Sequence, residues 1–174
     1  MDPRSDTARD LPAPLSPHLF LLTPGQSSGD GLSEEGAHRV NAALSSLSHR
    51  TVLVPKRVLA SGVPRVRATA RLVGPVYGLD ALPVEVDERL VMGHSTAPLR
   101  ALVRELEGSS EPTVVVAGAL EVELMVCWLC EATPGRRRIP SERTMPRGLG
   151  PNTVIALARE QGVWRVAAVI DGRS

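Results

Sequence analysis

Chemistry in this chain would have to come from a short set of side chains. Of its four histidines, His18 opens an apolar run, His38 lies off the apolar face of a helical segment, and His49 falls just past that segment. His94, in Met92-Gly93-His94-Ser95, sits on a loop, where an imidazole could exchange protons with a substrate in reach. Ser27 and Ser28 occupy a polar loop, but no Gly-x-Ser-x-Gly elbow or ordered triad surrounds them. Cys127-Trp-Leu-Cys130 is formally a C-x-x-C pair late in an apolar helix. Redox thiols favour an exposed helix N-terminus, and one pair is too few ligands for structural zinc, so buried structural thiols are expected. Glu121 and Glu123 open the same helix; two residues apart, they diverge by about 200° and cannot share one pocket. Either alone could serve as a pocket acid, and its other role is to favour the helix dipole. Arg65 can hold a carboxylate or phosphate through two parallel hydrogen bonds. Arg136, Arg137, Arg138, Arg143 and Arg147 make a basic loop, either solvated or in contact with an anion or partner.

Composition narrows the class. The chain has 174 residues, 43% of them hydrophobic, which suits a single domain with its own core. Aromatics are 2%, so Val, Leu and Ala must build that core. Lys and Arg total 20 against 19 for Asp and Glu, a formal net charge of +1. That balance gives no reason to expect nucleic acid or an anionic membrane as partner. Residues 1–17, rich in Pro, Asp and Arg, read as a flexible tail before a domain spanning 18–174. They hold no long apolar stretch of the kind a signal peptide needs. The longest apolar run, near 113–130, is interrupted by Glu121 and Glu123 and is too short to cross a bilayer. A cytoplasmic protein is expected, with no cofactor and no metal.

The elements that must hold these residues alternate. Apolar runs at 18–22, 82–86 and 113–117 read as strands, with Pro83 placing the second at an edge or a strand start, and of the two runs at 51–54 and 57–60 at least one should be a strand. Pro55 separates those two runs. Helices are expected after Ser33, a plausible N-cap with Glu34 and Glu35 in the first turn, and over 64–73, 98–107 and 120–131. The last of these is apolar almost all round and is expected to be deeply packed. Residues 133–150 are a Pro-, Gly- and Arg-rich loop. Runs at 152–158 and 164–170 flank Glu160-Gln161-Gly162 as a terminal hairpin. Such alternation predicts a three-layer α/β/α sandwich with a mostly parallel central sheet.

Several segments then fall in a set order. Leu21-Leu22-Thr23-Pro24-Gly25-Gln26-Ser27 is followed by Leu32-Ser33-Glu34-Glu35-Gly36. Next come Ser61-Gly-Val-Pro-Arg65-Val-Arg-Ala-Thr69-Ala70 and Val86-Asp87-Glu88-Arg89-Leu90-Val91-Met92. Val114-Val115-Val116-Ala117-Gly118-Ala119 follows, and a closing pair begins at Asn152 and Trp164. This ordered set, over roughly residues 18–170, resembles the histidine phosphatase (phosphoglycerate mutase-like) superfamily. There the first segment is a strand ending in Arg-His-Gly, then a Leu-(Ser/Thr)-x-x-Gly helix start. The second is Ser-x-x-x-Arg-x-x-x-Thr-Ala, matched in full here. The third supplies an acid, and the fourth ends in Ser-His-Gly.

The resemblance implies the family's fold and also marks departures from its chemistry. Thr23 stands at the arginine position, Pro24 at the nucleophile, Gly118 at the second histidine and Met92 near the acid. Of the family's core set only Arg65 remains. Proline has no side-chain lone pair, and phosphoryl transfer also needs several donors to offset charge on the transferring oxygens. The resemblance therefore implies a catalytically degenerate member: a pseudoenzyme that binds a small anionic ligand or a protein partner. The alternative is an enzyme of another class that reuses the pocket for acid–base or cyclisation chemistry, as in small-molecule biosynthesis. That reading draws on Thr23, Gln26, Ser27, Arg65, His94 and Glu121, with catalytic candidates His94, Glu121 and Ser27 and ligand-binding candidates Arg65, Thr23 and Gln26. A third reading is a residual phosphatase built on His94.

Overall fold

Short apolar segments in this chain are too brief to be stable alone and must share one sheet. A computed structural model describes residues 17–29, 31–51, 54–131 and 148–172. The expected tail, apart from Pro17, and the five arginines of the basic loop lie outside these residues. β1 (Leu19–Leu22) leads through a small hairpin, β2 (Ser27–Ser28) and β3 (Gly31–Leu32), into α1 (Glu34–Arg50). β4 (Arg57–Ala60), α2 (Pro64–Ala70), α3 (Val73–Val76) and β5 (Val84–Val86) follow. A 3-10 turn at Glu88–Leu90 precedes α4 (Ala97–Gly108), β6 (Thr113–Val116) and α5 (Ala119–Glu131). β7 (Thr153–Glu160) and β8 (Val163–Asp171) close the chain's order.

The six longer strands form one sheet in the order β5-β4-β6-β1-β7-β8. The first four are mutually parallel, and β7 and β8 are antiparallel additions. Alternation along each strand divides the core in two. Phe20, Leu22, Val58, Val114, Val116 and Ala156 face α1, α2 and α3. Leu19, Leu21, Leu59, Val115, Ile155 and Leu157 face α4 and α5. The result is the three-layer sandwich that the alternation of elements predicted, with both sheet faces covered, as parallel strands require.

Local chemistry explains most boundaries. Ser33 caps α1 by accepting from the Gly36 N–H at 3.0 Å. α1 runs on to Arg50, so His49 lies inside its last turn rather than beyond it. The helix expected over 64–73 instead breaks at Arg71–Leu72 into α2 and α3. Pro75 has no N–H to offer the Arg71 carbonyl, so a continuous helix could not pass it. Residues 26–32, expected as a plain loop, contain the β2–β3 hairpin. The terminal hairpin turns on Gln161 (φ 49°) and Gly162 (φ 82°), the positive pair that suits a tight two-residue connection. α5 is less enclosed than its composition suggested. Val122, Met125, Val126 and Leu129 form one buried stripe, Cys127 and Cys130 are half-buried, and Leu120 is 54% exposed. The Arg100 guanidinium lies 4.6 Å from the Trp128 ring, covering part of that outer face.

One ion-pair network ties β4, β5 and α4 at the sheet edge. Arg57 binds Glu85 at 3.0 Å and Glu105 at 3.1 Å, and Arg89 binds Glu105 at 2.8 Å and Asp87 at 2.6 Å. Arg89 holds both the Asp87 and the Glu105 carboxyls below their usual range. A carboxyl with a depressed folded pKa stabilises the fold above its ordinary pKa, and that contribution fades as pH falls through the depressed value. Glu105→Gln should therefore cost about 0.5–1 kcal/mol at neutral pH, as expected for exposed pairs. The gap from the parent should close as the pH drops below about 4. Urea titrations at several pH values check this; a gap independent of pH would mean the carboxylate charge is not what stabilises.

Candidate functional site

The carboxyl ends of β1, β4 and β6 meet on one edge of the sheet. The crossover from β1 reaches β4 and skips one position, which β6 later fills from the other direction. Such a reversal leaves a crevice beyond the strand ends, where ligands of open α/β sheets bind. An open pocket of about 550 Å³ lies there. Its lining is Thr23, Pro24, Gly25, Gln26 and Ser27 after β1, Ser33 at the start of α1, and Arg65 on α2. Ala119 at the start of α5 and Leu149, Gly150 and Pro151 before β7 complete it.

The two best-matched sequence segments are joined directly. The Gly25 N–H donates to the Thr69 hydroxyl at 3.0 Å, and that hydroxyl donates to the Arg65 carbonyl at 2.9 Å. Thr69, buried on α2, thereby braces the loop after β1 against the turn that carries Arg65. Thr23 is 1% exposed and its hydroxyl is already engaged. It donates to the Gly150 carbonyl at 2.8 Å and accepts from the Thr153 N–H at 2.9 Å. Thr23 thus fastens β1 to the entry of β7. Pro24, also buried, accepts from the Asn152 N–H at 3.3 Å.

Four of the six candidate residues line this pocket: Thr23, Gln26, Ser27 and Arg65. His94 and Glu121 do not. His94 is exposed in the turn before α4. Glu121 is half-buried and accepts from the Met92 N–H at 3.3 Å. Its carboxylate lies against Gly118, on the spot a Cβ at that position would need. Glu121 therefore bridges the start of α5 and the segment before α4. Glu123 points elsewhere and accepts from the Leu149 N–H at 3.0 Å, so the two acids diverge as their spacing requires. Ser33, Ala119 and residues 149–151 were not singled out from the sequence as pocket residues. Ser33 carried only its capping signal, and the 149–151 segment enters through contacts more than a hundred residues distant.

Electrostatically the lining is simple. Arg65 is the only charged side chain in it among the described residues. Among the described residues no three His, Cys, Asp or Glu side chains gather closely enough to hold a metal ion. No described helix is long and apolar enough to cross a membrane.

No protein-family model matches the sequence, and no curated protein matches it. Solved structures do match the fold. The protein histidine phosphatase SixA, complexed with tungstate, superposes with a TM-score of 0.68 at 19% identity, over 89% of this chain and 97% of that one. The mycobacterial glucosyl-3-phosphoglycerate phosphatase, with inorganic phosphate, gives 0.63 at 21% identity, over 91% and 100%. Phosphoglycerate mutase from Plasmodium falciparum gives 0.59 at 13% identity, over 85% and 86%. The chain therefore has a phosphoglycerate mutase-like fold, a mixed α/β sandwich shared with histidine phosphatases.

Proposed function

We infer that this chain is a degenerate histidine phosphatase-like protein that binds a small anion at Arg65 without phosphohistidine chemistry. The observation that carries the reading is Pro24 at the carboxyl end of β1, lining the pocket beside Arg65. A proline there offers no lone pair to attack phosphorus. The Glu121 carboxylate against Gly118 supports the same reading. An anionic group beside the pocket opposes the charge that builds on a transferring phosphoryl group. Arg65 remains suited to holding an anion through its guanidinium fork. The alternative, acid–base chemistry of another class, needs a proton-exchanging side chain in the pocket. Among the described residues the lining holds no His, Asp or Glu.

Two measurements test the reading. Titration with inorganic phosphate and with acetate, followed by NMR, should show saturable binding that weakens about tenfold or more in Arg65→Ala, the loss expected for a charge-assisted hydrogen-bonded contact. An assay with p-nitrophenyl phosphate should show no turnover above buffer. Turnover that disappears in Arg65→Ala would overturn the reading, as would the absence of anion binding.

A further inference from the structure

We propose that two copies of this chain associate about a two-fold axis at the groove between α1 and β8, with their α1 helices antiparallel across it. The two edges of the sheet differ. β5, at one edge, has three residues, follows Pro83 and holds Glu85 in an ion pair. Short length and proline both blunt an edge. β8, at the other, has nine residues with no proline, glycine or lysine among them. β7 pairs one side of it, and among the described residues no strand pairs the other. Its irregularity falls at Ala167, which has no partner on β7. An edge of this length is a template for another strand.

The second observation is a helix wall beside that edge. The buried residues of α1, among them Val40, Leu44 and Leu47, face the sheet. Glu35, Arg39, Ala42, Ser46 and Arg50 lie within about 80° of one another around the helix, roughly a quarter turn from that buried stripe. They form one wall of a groove of about 500 Å³, and the end of β8, from Val169 to Gly172, forms the other. Val169 is 43% exposed. A body that extends the sheet past β8 therefore meets this wall of α1 as well.

The order of charges along α1 selects a second copy of the chain as that body. Glu35 lies in the first turn and Arg50 is the last residue. They are fifteen residues apart, about 22 Å along the axis. With a two-fold axis passing beside Ala42 and Ala43, Glu35 of each copy meets the partner's Arg50, so the contact is charge-matched at both ends. Glu35 already binds Arg39 through Oε1 at 2.6 Å, and a carboxylate accepts more than one such bond. Arg39 falls opposite the partner's Ser46, and alanines meet at the centre, where bulk would hold the helices apart. A parallel arrangement would instead set Glu35 against the partner's Glu35. The contact is isologous, the form that closes a dimer. With its axis perpendicular to the sheet, the same rotation sets the two β8 edges antiparallel. Strand edge and helix wall thus require one and the same operator.

Sedimentation equilibrium of the full chain over a concentration series should show reversible conversion from the mass of one chain to that of two, weakening as salt screens the pairs. Arg50→Glu sets an acid against the partner's Glu35 in two places and should weaken dimerisation about tenfold or more. Glu35→Arg should do the same. The double variant, Glu35→Arg with Arg50→Glu, restores opposite charges in the antiparallel register alone and should dimerise within about threefold of the parent. Ala42→Arg, at an exposed position, puts like charge and bulk at the axis and should leave a monomer with the parent's circular dichroism. A chain that stays monomeric at every concentration would overturn the proposal, and so would a dimer indifferent to Ala42→Arg. A double variant no better than either single one would overturn the antiparallel register and the proposal with it.

Discussion

Phe20→Ala should remove about 3–5 kcal/mol of stability, the range for deleting a buried aromatic side chain. Phe20 is the only phenylalanine in the chain, and it is fully buried in β1. It stands in register with Val114 of β6 on one side and Ala156 of β7 on the other. Those neighbours are small and fixed by ladder hydrogen bonds, so neither can move in to fill the space. From α1 the same cluster receives Val40, Ala43, Leu44 and Leu47, and an α-helix cannot shift one residue without shifting all four. The cavity should therefore persist, which places the loss in the upper half of the range. A domain of ordinary stability holds only about 5–15 kcal/mol, so this one substitution removes a large share. Phe20→Leu, which keeps most of the volume, should cost under about 1.5 kcal/mol. Urea denaturation with both variants measures the difference. A loss below 1.5 kcal/mol for the alanine variant would mean that this face repacks.

The contrast between strands and pocket shows what a sequence of this kind displays. β1 and β6 are four-residue runs of Leu, Phe, Val and Thr whose length and composition mark them as buried strands, whereas β4, which opens on Arg57, shared its signal with the run at 51–54. Ser33, Glu34 and Glu35 announce α1 through capping and dipole chemistry, both local effects. The hidden elements are the ones without a local signature. β2 and β3 have two residues each, too few for any periodicity. The break at Arg71–Leu72 depended on Pro75, which has no N–H to offer the carbonyl four residues before it. Arg65 was legible because it sits in a spaced motif. The work of Thr69 was not, because its partner Gly25 is 44 residues away. Glu121 was visible as an acid at a helix start, whereas its contact with Met92, 29 residues back, depends on how α5 and the segment before α4 pack. Spacing reveals which residues share an element, but not which loops meet at the end of the sheet.

Gly36→Ala should destabilise the protein by up to about 2 kcal/mol and weaken anion binding at Arg65 together. The sign makes this informative. In a helix interior, Gly→Ala ordinarily stabilises by about 1 kcal/mol, because alanine has the higher helix propensity. Here a Cβ on Gly36 would land on the Gln26 carbonyl oxygen and 2.8 Å from the Gln26 nitrogen. Both are backbone atoms, and they cannot turn aside as a side chain can. The same loop is held from Ser33, whose N–H and hydroxyl both donate to the Gln26 carbonyl, at 2.9 and 3.1 Å. Overpacking of this sort costs about 1–3 kcal/mol, which exceeds the propensity gain. The displaced segment is the one that carries Pro24, Gly25 and Gln26 into the pocket, and its Gly25 N–H is tethered to Thr69 beneath Arg65. Pushing Gln26 away from α1 loads that tether and shifts the pocket wall relative to the guanidinium. Acetate titration at a temperature where the variant is fully folded should therefore show weaker binding than the parent. A Gly36→Ala variant more stable than the parent would show that the loop after β1 gives way freely, and that α1 does not set the geometry of the pocket.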